Sequence, residues 1–259
     1  MYPDLFGIEG FSMGLMMTLG GFLGTLIVFL YLLKHGLEKK NYIDFFIVIL
    51  VTLFVGIITA MLFENLYEWI KALSVNEQPK WTWSKTFYGG LFGGVITFLL
   101  MYRFYYLKNN PPIIKEILKI APAGICFGHG VGRIGCFLNG CCYGIDTEQW
   151  YGIVFPGHLH PSIPTQLLEM AFLFILGTIL LVLAYKSSFK YNLVIYMASY
   201  GVFRFLIEFI RGDERGELQG LSPSQYWCIV LIFGAIAVYF LFKNVIYKEE
   251  NKKDEIQIS

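Results

Sequence analysis

Two stretches of this 259-residue chain set ionisable side chains inside apolar sequence. In "YGVFRFLIEFIR", Tyr200, Arg204, Glu208 and Arg211 fall at i, i+4, i+8 and i+11, the spacing of one helical face. Glu208 can neutralise one of the arginines, which leaves a second guanidinium to be matched. A guanidinium is a planar fork of donors that meets a phosphate bidentately, so the stripe suits an anionic ligand. A salt bridge between helices, or snorkelling to the membrane surface, is the purely structural alternative. The other stretch, "HGVGRIGCFLNGCCYG" (129–144), places Arg133 among Gly130, Gly132 and Gly135. Glycines let backbone N–H groups approach a ligand and form anion-binding nests, or they simply let helices pack closely. His129 stands four residues before Arg133 and shares its face if the segment is helical. With an ordinary pKa of about 6.5, it is a candidate proton acceptor at neutral pH.

The thiols of Cys136, Cys141 and Cys142 accompany that arginine. With His129 they could ligate a metal, but the C-x4-C-C spacing is not the usual C-x2-C pattern. Buried packing and bracing of the turn is the favoured reading, with no metal and no other cofactor expected. Cys126 and Cys228, each alone in an apolar run, read as packing residues. Gln166 and Glu169 follow "HPSIP" and either orient an arginine or cap a helix. Tyr88 stands in "FYGGLFGG", where the glycines suit small-residue helix packing. Glu64, Asn65 and Glu68 close a second apolar run and either face the site or meet water.

The elements that must position these groups are membrane spans. The chain is 56% hydrophobic and only 15% charged, where a soluble domain carries about a quarter charged residues. Charge-poor runs at 11–33, 45–63, 86–102, 170–185, 189–203 and 226–242 approach or reach the roughly 20 residues of a transmembrane helix. A weaker, glycine-broken run at 117–132 supplies a seventh. The expectation is an all-α polytopic membrane protein of about seven transmembrane helices. Residues 1–242 form one transmembrane domain, and 243–259 a flexible cytoplasmic tail. An outside N-terminus and a cytoplasmic C-terminus put 12 of the 20 Lys and Arg residues in cytoplasmic segments. In that orientation 129–144, 160–169 and 204–216 all meet on the extracytoplasmic side. A net charge of +1 without a basic face argues against nucleic acid as a partner. No Lys or Arg precedes the first apolar run, so no cleavable signal peptide is expected.

Three motifs in order resemble bacterial prolipoprotein diacylglyceryl transferases. The family signature G-x-G-R-[ILF]-G-N-F-x-N-G-E-x-x-G stands here as "GVGRIGCFLNGCCYG", with Gly130, Gly132, Arg133, Gly135, Phe137, Asn139, Gly140 and Gly144 matching. The element H-P-[ST]-Q-L-Y-E stands as "IPTQLLE" (163–169), and Y-G-x-x-R-x-x-x-E-x-x-R is complete at 200–211. The resemblance implies transfer of the diacylglyceryl group of phosphatidylglycerol to the lipobox cysteine thiol of prolipoprotein signal peptides, with release of glycerol phosphate. It implies a multi-pass protein of the bacterial cytoplasmic (inner) membrane, working on a lipid of the bilayer. Arg133 and Arg204 inherit phosphate-facing roles, Glu208 holds Arg204, and Asn139, Gly144, Gln166, Tyr200 and Arg211 join them as substrate-binding residues. The chain departs from the family at Cys136 and Cys141, which replace asparagine and glutamate. It departs again at Met13, in place of tyrosine, and at Tyr88, in place of the histidine of H-G-G-L that supplies a proposed base. The departures fall on the acceptor and the base, so His129 and Tyr88 are both catalytic candidates, His129 being preferred. The competing function is a non-catalytic phospholipid-binding membrane protein, or a related transferase with another acceptor.

Overall fold

The computed structural model describes residues 4–5, 8–74, 78, 81–82, 87–186, 189–212 and 220–248. The described chain is mostly helical, with a short antiparallel pair, Asp4–Leu5 against Ile8–Glu9, and a non-helical segment at 140–164. The main helices are α1 (Phe11–Leu32), α2 (Tyr42–Ser74), α3 (Phe87–Met101), α4 (Ile114–Asn139), α5 (Thr165–Lys186), α6 (Asn192–Ile207) and α7 (Pro223–Leu241). Their limits follow local chemistry. After α3 the chain continues through a π-turn, Tyr102–Tyr106, and stops at Asn110, whose extended backbone suits the Pro111 that follows it. Ser222 and Gln225 form a capping box ahead of α7, with Pro223 in the first turn. A second π-turn, Phe242–Ile246, carries the last helix past the apolar run. Of the expected tail, 249–259 lie outside the described residues.

Among the described residues, six helices are long and apolar enough to cross a membrane: α1, α2, α3 with its extension, α5, α6 and α7. They are apolar on the outside as well, with Phe22, Phe54 and Phe233 about two-thirds exposed (67%, 66% and 67%). Such a surface suits hydrocarbon, not water. The helix α4, which carries Lys115, Glu116, Lys119, His129 and Arg133, falls outside that set. At 26 residues it is about 39 Å long, still enough to span. Against it pack α1, α5 and α6.

Contacts divide the chain into two units, 1–32 with 114–259, and 33–113. In the first, α1 and α4 approach backbone to backbone. A Cβ on Gly24 would lie 2.7 Å from the Gly124 carbonyl oxygen, and one on Gly128 2.8 Å from that of Gly20. Pairs of glycines four residues apart on both helices thus make the seam. In the second unit α2 packs on α3 in the same manner. There Gly90 faces Gly56 and Ala60, while Gly89 and Gly93 face Thr59 and Phe63. Asp44 accepts from Tyr105 and Asn110 at one end of this unit, each at 2.8 Å. At the other, Asn65 accepts from the Thr82 amide and donates to the Met61 and Thr82 carbonyls, so it ties the following loop to its helix.

Candidate active site

Three stretches far apart in sequence close one end of the first unit. The Gly144 amide donates to Ile163 O (2.7 Å), Ile145 to Ile210 O (2.9 Å), and Gly212 to Tyr143 O (3.2 Å). These bonds gather the end of α4, the start of α5 and the end of α6 beneath the segment 140–164.

At the centre lies the Glu169 carboxylate, 1% exposed, one turn into α5. Its Oε1 accepts from Arg133 Nη2 at 2.8 Å and from the Tyr200 hydroxyl at 2.8 Å. His129 Nε2 is 3.6 Å from the same oxygen, and its ring meets Tyr200 edge-on at 5.4 Å. Beside this group Arg204 Nη2 pairs with Glu208 Oε2 at 2.7 Å, and Ser222 Oγ donates to Glu208 Oε1 at 2.8 Å. Arg204 and Glu208 are both buried, 7% and 9% exposed. Each arginine therefore has its own carboxylate. Yet Arg133 Nε and Arg204 Nη1 are buried with no hydrogen-bond partner among the described residues. A buried donor left unmatched costs about 1–3 kcal/mol, and native proteins rarely keep one without a reason. Guanidinium donors of this kind suit an oxyanion.

The other expected site residues fall differently. The helix α6 ends at Ile207, Glu208–Ile210 form a 3-10 turn, and Arg211 is extended. The expected single helical stripe therefore stops before Arg211, whose backbone instead bridges to Gly144 and whose side chain hydrogen-bonds Cys142. Gly144 is wedged: a Cβ there would meet Ile210 O at 2.6 Å and Ile163 and Thr165 side chains at 2.9 Å. Asn139 hydrogen-bonds Cys141, and Gln166 Nε2 donates to Cys141 O at 2.6 Å. Tyr88 belongs to α3 in the second unit, and its side chain lies outside the described residues.

The glycine-rich segment corrects one expectation. Residues 129–139 are helical, so their N–H groups serve the helix and form no anion nest. A Cβ on Gly130 would meet Phe174 at 2.5 Å and one on Gly135 would meet Met16 at 2.9 Å, so these glycines serve packing; only Gly132 faces open space.

The thiols converge for a local reason. At the end of α4 the Gly140 amide donates to Phe137 O and the Cys141 amide to Cys136 O, both at 3.1 Å, with Gly140 at φ 72°. This is a Schellman ending, which folds the second residue past the helix back onto its last turn. That geometry puts Cys141 on Cys136. Cys142, itself left-handed at φ 69°, completes the cluster, and the three Sγ atoms lie within 4.8 Å of one another. None of the five cysteines is joined in a disulfide. Next to this turn is a cavity of about 600 Å³ lined by Tyr143, Gly144, Ile145, Asp146, His158 and Gly212.

The fold and this site define a multi-pass membrane protein with a hydrogen-bonded charge cluster buried at one end of its helices. The chain belongs to the prolipoprotein diacylglyceryl transferase family, whose model matches residues 4–241. It is 32% identical to the phosphatidylglycerol–prolipoprotein diacylglyceryl transferase 2 of Clostridium perfringens, over 96% of this chain and 98% of that one. The phosphatidylglycerol–prolipoprotein diacylglyceryl transferase of Clostridium tetani is 31% identical over 91% of this chain and 94% of its own. A Finegoldia magna relative is 27% identical over 96% and 98%. No solved structure matches. Membership makes the protein a transferase of lipoprotein biosynthesis.

Proposed function

We propose that the protein transfers the diacylglyceryl group of phosphatidylglycerol to the lipobox cysteine of prolipoprotein signal peptides at the outer face of the bacterial cytoplasmic membrane. The observation that carries the reading is the pair of buried donors, Arg133 Nε and Arg204 Nη1, without a partner among the described residues. In the reaction a C–S bond forms at the primary glycerol carbon as the C–O bond to phosphate breaks. The departing oxygen keeps the electron pair, and charge grows on the phosphate. Donors already fixed in place stabilise that charge without reorganising, which is where such a site gains most of its rate. Glu169 and Glu208 hold the guanidiniums still. The thiol proton passes to His129 Nε2, and the Glu169 carboxylate, 3.6 Å away, stabilises the imidazolium that results. Glycerol phosphate leaves, and the thioether stays on the peptide. Asn139, Gly144, Gln166 and Arg211 shape the turn beside the lipid.

Purified protein in vesicles of phosphatidylglycerol, given a lipobox peptide, forms the thioether, read by mass spectrometry. Arg204→Lys and Arg133→Lys keep the charge and lose the fork, and each lowers turnover by about 10²-fold or more. His129→Gln lowers it by about 10²- to 10⁴-fold, whereas Tyr88→Phe retains most of the rate. Lipid binding without thioether at any peptide concentration would identify a non-catalytic lipid-binding protein. A fully active His129→Gln with an inactive Tyr88→Phe would move the base to Tyr88.

A further inference from the structure

We propose that Cys136, Cys141 and Cys142 form a three-sulfur site for a thiophilic divalent ion of the zinc class, whose fourth position takes the thiol of the acceptor. The identity of that fourth ligand rests on the transferase reading above; the three-sulfur site does not.

The cluster is built rather than incidental. The Schellman ending of α4 places Cys141 over Cys136, and the left-handed backbone of Cys142 turns a third sulfur onto them. A left-handed cysteine is an uncommon, costly conformation that persists where its surroundings demand it. A tetrahedral zinc with bonds of about 2.3 Å needs sulfurs about 3.8 Å apart, and the three Sγ atoms, within 4.8 Å of one another, are about 1 Å or less from that spacing. The backbone carrying the ligands is held from outside: Gln166 Nε2 donates to Cys141 O at 2.6 Å and Thr165 Oγ1 to Cys142 O at 2.7 Å. Supports of this kind fix ligand direction. Disulfides would satisfy an odd set poorly, because one thiol is always left over.

Charge and access point the same way. Three thiolates on a divalent ion carry a net charge of −1, and two guanidiniums flank them. Arg133 Nη1 lies 4.0 Å from Cys136 Sγ, and the Arg211 side chain hydrogen-bonds Cys142. Cys136 is buried while Cys141 and Cys142 are half-buried, so solvent reaches part of the cluster, and the cavity lined by Tyr143 and Gly144 lies next to it. Three protein ligands with an open position is the arrangement of catalytic rather than structural zinc. The ion sits beside Arg133, and the proposed reaction alkylates a thiol there. An acceptor thiol entering the fourth position gives up its proton to His129 and binds as thiolate. Its sulfur then displaces phosphate from the lipid carbon, and the neutral thioether, a weaker ligand, leaves.

The test uses the full-length protein, purified reduced in detergent without chelators, with Zn²⁺ and then Co²⁺ as probes. One equivalent of zinc binds, and cobalt shows thiolate-to-metal charge transfer with the intense visible bands of a tetrahedral site. The bands vanish in the Cys136→Ser, Cys141→Ser, Cys142→Ser triple variant and persist in Cys126→Ala, Cys228→Ala. Because wild-type stoichiometry alone decides binding, the proposal stays testable if the triple variant does not fold. A lipobox peptide shifts the cobalt bands, and its cysteine-to-serine analogue does not. Substoichiometric metal in the wild type, a disulfide within the trio, or bands indifferent to the peptide thiol would overturn the proposal. So would an undiminished rate of thioether formation after chelation, with the transferase reading intact. Metal binding that responds to the peptide thiol, with no thioether formed, would sink the transferase reading and leave the site standing.

Discussion

One carboxylate oxygen, Glu169 Oε1, receives Arg133 and Tyr200 and faces His129. That convergence makes Glu169 the residue on which the local electrostatics turn. Glu169→Gln leaves the Arg133 guanidinium buried beside a neutral amide, and breaking such a pair from one side costs about 3–5 kcal/mol. Tyr200→Phe removes one hydrogen bond to an ion and costs about 1.5–3 kcal/mol. Thermal denaturation in detergent should therefore rank Glu169→Gln well below Tyr200→Phe, with both below wild type. Equal losses would mean that Arg133 is balanced by another group. The sequence marks Arg204 and Glu208 through their i, i+4 spacing, because a helix makes that contact from local geometry. It does not mark Arg133 with Glu169, which are 36 residues apart and meet only because α4 packs on α5. A glutamate one turn inside an apolar span is the signal the sequence carries, and it suits an arginine partner or a helix cap alike.

At the scale of elements, glycine spacing misleads because it does not distinguish a nest from a helix seam. The residues 130–135 look like a ligand-cradling turn, yet Gly130 and Gly135 make room for Phe174, Met13 and Met16. The α1–α4 seam gives this a direct test. A Cβ on Gly124 would lie 2.7 Å from Gly24 O and 2.9 Å from Val28, whereas one on Gly21, on the same α1, meets nothing within 4 Å. Gly124→Val should lower the denaturation midpoint by an amount matching overpacking, about 1–3 kcal/mol. Gly21→Val should shift it by a few tenths of that. A neutral Gly124→Val would mean the seam opens freely. Helix existence was legible from long apolar runs; helix ends were less so. The α6 pattern carries Arg211 on the helical phase, but a 3-10 turn and pairing with Gly144 take it off that face. Likewise the Schellman ending explains the Cys136-x4-Cys141 spacing, which resembles no metal motif when read as text.

For the molecule as a whole, apolar composition fixes the class of protein, while the side of the membrane rests on a charge bias of 12 basic residues in 20. The helices α5, α6 and α7 separate the segment 140–164 from the C-terminal end, and an odd number of crossings puts those two on opposite sides. If 140–164 faces outward, Arg133, Arg204 and the thiol turn lie against the outer leaflet. An epitope inserted beside Leu159, itself 93% exposed, should bind antibody in intact spheroplasts, and a C-terminal epitope only after permeabilisation. The reverse result inverts the molecule and makes the donor an inner-leaflet lipid. Both epitopes on one side would mean an even number of crossings among α5, α6 and α7; if α5 or α6 were the helix that fails to cross, Arg204, at the end of α6, would no longer share a membrane face with Arg133 in α4.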